Sequence, residues 1–126
     1  MKTILLLFAL FFNQMNAQNL DGPDGTEVRN AEFVGGHQQM LDFIAQNLNY
    51  PLNASARHVE GSVILTLTID PAGVVRDVKV RSGLGQGCDE EARRVVETMP
   101  KWKPALLNGK PIASGKTLRI DFFMPR

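Results

Sequence analysis

Apolar and polar positions along the chain recur at two periods, and the switches between them mark out the elements. After residue 36, Met40, Leu41, Ile44 and Leu48 fall at helical spacing. Gly35 and Gly36 form a hinge before this helix. The Tyr50-Pro51 pair stops it, because the residue before a proline disfavours helical backbone. In "GSVILTLTID" the period falls to two: Val63, Leu65, Leu67 and Ile69 alternate with Ile64, Thr66, Thr68 and Asp70. β-Branched residues dominate, so this is a strand. "DPAG" predicts a turn, with Pro71 pre-setting one φ and Gly73 accepting a positive one. The return strand is "VVRDVKVR", with Val78 and Val80 on one face and Asp77, Lys79 and Arg81 on the other.

A second helix follows in "CDEEARRVVETM". Cys88, Ala92, Val95, Val96 and Met99 form one apolar stripe, and Asp89, Glu90 and Glu91 suit the positive end of the helix dipole. The last element, "KTLRIDFFM", alternates again: Leu118, Ile120, Phe122 and Met124 against Thr117, Arg119, Asp121 and Phe123. The order helix, strand, strand, helix, strand predicts an α+β fold. It is a three-stranded antiparallel sheet with two helices packed on one face.

"MPKWKP" joins the second helix to the last strand. Pro100 ends the helix, Pro104 stiffens the exit, and Lys101 and Lys103 straddle Trp102. An aromatic binding platform is one reading of this stretch. A structural corner is the reading adopted, because a domain this small needs its largest side chain for burial.

The remaining sequence is short of structure signals. Residues 18–30, "QNLDGPDGTEVRN", are polar and glycine-rich and read as a flexible leader. Ahead of them, residues 1–17 carry one lysine, an apolar run over residues 4–12 and a small residue at Ala17, the layout of a secretory signal peptide. The competing reading, an uncleaved inner-membrane anchor, needs an apolar run of about 20 residues. The expected organisation is therefore a signal peptide at 1–17, a leader at 18–30 and one domain at 31–126, with the periplasm as its compartment.

Composition narrows the chemistry. Hydrophobic residues make up 44% and charged residues 21% of the 126, ordinary for one globular domain. The net charge is +1, which gives no whole-chain attraction to nucleic acid. One cysteine cannot make an internal disulfide. Cys88 is either a thiol activated at a helix N-terminus or a small buried apolar residue, and its place on the apolar stripe favours the second. His37 and His58 have no neighbours at metal-ligand spacing. "SGLGQG" lacks the Gly-Lys-Ser/Thr ending of a phosphate loop. With no nucleophile–base pair, metal cluster or cofactor loop in the sequence, the chain reads as a non-enzyme without cofactor, metal or nucleic-acid partner.

Four separated stretches, "AEFVGG…FIAQNLNYP", "EGSVILTLTIDPAGVVRDVKV", "EEARRVVETMPKWKP…NGKP" and the final strand, together resemble the C-terminal domain of TonB in its Bacteroidetes form, over about residues 31–124. The resemblance implies a periplasmic domain that docks on outer-membrane receptors and captures a short receptor segment, the TonB box, as an added strand. It implies an edge at residues 116–124, with Lys116, Thr117, Leu118, Arg119, Ile120, Asp121, Phe122 and Phe123 as partner-binding residues. Asn47, Asn49 and Tyr50, just before Pro51, join them. β-Strand addition takes affinity from backbone hydrogen bonds and selectivity from alternate side chains.

The chain departs from that pattern. Val34 stands where proline is usual and Cys88 where leucine is usual, and no proline precedes the phenylalanine of the last strand. The sequence also shows neither the anchor nor the proline-rich spacer of a full TonB. The alternative to a receptor-docking module is a stand-alone envelope interaction domain, homodimeric through the same edge strand.

Overall fold

The strand with the highest density of β-branched and aliphatic residues sits at the centre of the molecule. A computed structural model describes residues 19–21 and 25–125, and the segment read as a signal peptide lies outside the described residues. Strand β3 (Gly61–Ile69) buries Val63, Leu65, Leu67 and Ile69 to 3% exposure or less on one face. It pairs antiparallel with β4 (Val75–Ser82) on one side and β7 (Ser114–Phe122) on the other. This is the expected three-stranded sheet, in the order β4-β3-β7.

Helices α1 (His37–Asn47) and α3 (Cys88–Glu97) supply the apolar faces that join this core. On α3 the whole expected stripe is buried: Cys88, Ala92, Val95 and Val96, with Met99 just beyond the helix end. On α1, Met40 and Ile44 are buried, but Leu41 is 43% exposed. Phe43, one turn from Met40, takes the packing position instead, with its ring 6.0 Å from that of Phe33. A short helix α2 (Leu52–Ala56), which the sequence pattern did not predict, follows Pro51.

A second, smaller sheet was equally unexpected. The leader 18–30, expected to carry little structure, contributes β1 (Asn19–Asp21) and β2 (Glu27–Arg29). These continue a hairpin of β5 (Ala105–Leu107) and β6 (Lys110–Ile112), in the order β1-β2-β5-β6. Asn108 and Gly109, both at positive φ, turn the hairpin. Asn108 accepts the N–H of Glu27 through its side chain and donates its own N–H to the Glu27 carbonyl, which ties the leader to the turn.

The "MPKWKP" corner joins the two sheets. Trp102 is 4% exposed, and its ring meets Phe33 edge-on at 5.5 Å and 86°. Its backbone N–H donates to the carbonyl of Gly73 at 2.8 Å, in the β3–β4 turn. Next along the chain, Lys103 and Glu32 exchange backbone hydrogen bonds of 2.8 and 3.0 Å. Lys101 and Lys103 remain exposed, and Pro100 follows the helix end. The corner reading of this stretch is the one the structure supports.

Gly73 is required here twice over. Its φ is +87°, and a Cβ on it would lie 2.1 Å from the carbonyl oxygen of Trp102. Gly73→Ala should therefore lower unfolding stability by roughly 3 kcal/mol, combining backbone strain with displacement of the corner. Gly109, at φ +80° with open space where a Cβ would lie, isolates the first contribution. Gly109→Ala should cost only about 1 kcal/mol. Urea unfolding followed by Trp102 fluorescence measures both; equal losses would show that the turn is not locked against Trp102.

Candidate functional site

The two edges of the main sheet are built differently. β7 pairs with β3 in one unbroken register, from Gly61↔Phe122 to Ile69↔Ser114. Its other side faces no strand among the described residues. β4 breaks register with β3 twice, between Ile64 and Leu65 and between Thr66 and Thr68. Asp77 sits at φ +54° within the second break. Such bulges twist an edge and disrupt its row of hydrogen-bonding groups, whereas a regular edge keeps that row aligned.

The expected partner-binding residues on β7 divide by face. Leu118, Ile120 and Phe122 are buried in the core, so only their backbone is available to a partner. Thr117, Arg119 and Asp121 are exposed on the opposite face. Arg119 pairs with Asp121 at 3.1 Å, and Asp121 accepts from the Ser62 hydroxyl at 2.6 Å. Phe123, 58% exposed, lies just past the strand end. After it, the N–H of Met124 donates to Glu60, which fixes the exit of the chain.

Beside the first half of β7 lies a cleft of about 380 Å³. Phe33, Met40, Trp102 and Leu118 give it apolar walls, with Lys116 and His37 at polar positions. Lys116 holds its ammonium 5.8 Å from the centre of the Trp102 ring, in reach of the ring's negative face. Trp102 Nε1 is buried with no hydrogen-bond partner among the described residues. No sequence pattern pointed to this cleft, because its walls come from segments far apart in the chain.

The residues before Pro51 reach β7 only in part. Tyr50 does: its ring meets Phe122 edge-on at 5.7 Å, and its hydroxyl donates to the carbonyl of Val59. Burial first, and then the charge of Glu60, raise the Tyr50 phenol above its ordinary pKa. Asn47 and Asn49 are tied to α3 instead. Arg94 donates to the Asn47 carbonyl at 2.7 Å, and Glu91 accepts the Asn49 N–H at 2.7 Å. Glu91 and Arg94 also hold each other through two hydrogen bonds of 2.7 and 2.8 Å. The acids in the first turn of α3 thus do more than suit the dipole, and Asp89 likewise accepts the N–H groups of Leu84 and Gly85.

Among the described residues, no group of three or more His, Cys, Asp or Glu side chains converges as metal ligands. No helix there is long and apolar enough to cross a membrane.

Residues 46–124 match the family model of the Gram-negative bacterial TonB protein C-terminal domain. The chain belongs to the TonB C-terminal domain family. This is a non-enzymatic, envelope-associated family of protein-interaction domains. The fold is also that of the solution structure of the Helicobacter pylori TonB C-terminal domain, with a TM-score of 0.52 at 22% identity. That likeness covers 68% of this chain and 89% of the other. No curated protein is significantly similar in sequence.

Two outcomes test the chemistry of this region. Cys88 is fully buried, and burial first, then Asp89 and Glu90, raise its thiol pKa despite its place at a helix start. Native protein should therefore resist a thiol reagent at neutral pH and react rapidly once denatured; fast native labelling would contradict this packing. Glu91 is held below the usual carboxylate range, by Arg94 first and helped by the Asn49 N–H. A depressed folded pKa means stability that is present above the unfolded value, near 4.3, and lost as pH falls through the folded one. Glu91→Gln should cost about 1 kcal/mol at neutral pH, and the difference from wild type should close as pH falls through the depressed folded pKa. A difference independent of pH would mean that the carboxylate charge plays no part.

Proposed function

We propose that this TonB-family module docks a partner's extended segment as an added strand on the outer side of β7. The guest is the TonB-box segment of an outer-membrane TonB-dependent receptor, and the docking serves transport across that membrane. The periplasm is the compartment that this partner requires, and the layout of residues 1–17 as an export signal is consistent with it.

The observation that carries the reading is the inequality of the two edges. The β7 register is unbroken and its outer side has no strand among the described residues, while β4 is bulged twice. A guest laid along β7 would gain backbone hydrogen bonds from a pre-aligned row. Its side chains would alternate between the Arg119–Asp121 face and the opposite side, where the cleft beside Trp102 accepts an apolar group. Tyr50, through its contact with Phe122, would brace the far end of the same strand.

A proline scan over residues 117–123 tests this directly. Proline deletes one backbone donor, and an edge strand tolerates that loss where the donor points outward. Variants that keep their circular dichroism should bind TonB-box peptides at least tenfold more weakly, about 1.4 kcal/mol. Folded variants that bind as well as wild type would place the guest elsewhere.

A further inference from the structure

The cleft beside β7 takes one of its walls from the segment that follows β2. Residues 30–33 line that side, and Lys116, Thr117 and Leu118 of β7 line another. We propose that residues 27–33 form a strap that builds this cleft when closed, swings out as one piece about Gly35 and Gly36, and is held shut by a guest in the cleft.

Residues 27–33 are a separable unit. Among the described residues, β2 pairs with β1 and β5 of the small sheet and with no strand of the main one. The attachments of the strap lie in line along it: Glu27 with Asn108, β2 with β5, Glu32 with Lys103, and the buried side chains of Ala31 and Phe33. It ends at Gly35 and Gly36, at φ +89° and +91°, a pair able to change backbone conformation without carrying α1 along.

The strap also covers Trp102. Phe33 packs on the indole ring, and Trp102 Nε1 is buried with no hydrogen-bond partner among the described residues. An N–H protected by burial alone exchanges with solvent when its cover lifts.

Linkage follows from this placement. A guest side chain in the cleft touches the strap on one side and β7 on the other, so it binds the closed form. A ligand that binds only the closed form stabilises it, and closure strengthens binding in return. That the guest is a receptor segment rests on the docking reading; the strap itself does not.

Hydrogen exchange followed by NMR on the folded chain tests the strap. The amides of Glu32 and Lys103, which bond each other's carbonyls, and the indole N–H of Trp102 should share one protection factor, at least tenfold below that of the β3 amides. Two variants loosen the far end of the strap, away from the cleft. Asn108→Gly suits the positive φ of the turn and removes the acceptor of the Glu27 N–H; Glu27→Pro removes that N–H from the other side. Each should speed exchange at all these sites together by about fivefold, the effect of one lost hydrogen bond. TonB-box peptide at ten times its dissociation constant should slow them about tenfold in wild type. An indole as protected as β3, or one that does not quicken with the two amides, would overturn the strap. So would a peptide that binds and leaves the rates unchanged. A wild-type chain that binds no peptide sinks the docking reading alone, and the shared rates then decide the strap.

Discussion

The two sheets and the segment that leads into α1 are locked together at Trp102. Its backbone N–H bonds to the β3–β4 turn, its ring packs on Phe33 ahead of α1, and Lys103 beside it pairs with Glu32. A domain of this size has no interior to spare, and an indole is the largest apolar surface that one residue can bury. The placement fixes the exit from α3, the start of the β5–β6 hairpin and the approach to α1. Through Lys116 it also sets one wall of the cleft beside β7.

That corner helps explain why β7 presents a straight edge. Leu118, Ile120 and Phe122 are held in the core, and Tyr50 closes over the last of them. With one face fixed by packing, alternate positions project Arg119 and Asp121 to solvent in a defined row. Precision in the core thus becomes regularity at the rim. β4 lacks this discipline: only Val78 is buried along it, and the strand bulges where the packing is thinner.

Much of this was legible in the sequence. The period-two pattern of β3 and β7 and the apolar stripe of α3 each involve enough residues to identify the element and its buried face. Leu41 misled because 3.6 residues per turn places both it and Phe43 beside Met40, and only the position of Phe33 decides between them. The second sheet was harder to see. Its strands are three residues long, too short for any period, and it closes through pairing between the leader and β5. The Asn108-Gly109 turn was the one local clue, since that pair is a strong hairpin signal. Tyr50 was reached through family resemblance, and its contact with Phe122 is a tertiary fact that no local pattern encodes.

The two register breaks in β4 have a consequence for stoichiometry. A sheet with two pairable edges can add strands at both ends, and head-to-tail addition then grows open-ended filaments. Here one end of the sheet is spoiled by bulges and the other is regular. Strand addition to this sheet would therefore be limited to its one regular edge. An irregular second edge on the main sheet would thus stand against open-ended, head-to-tail addition there.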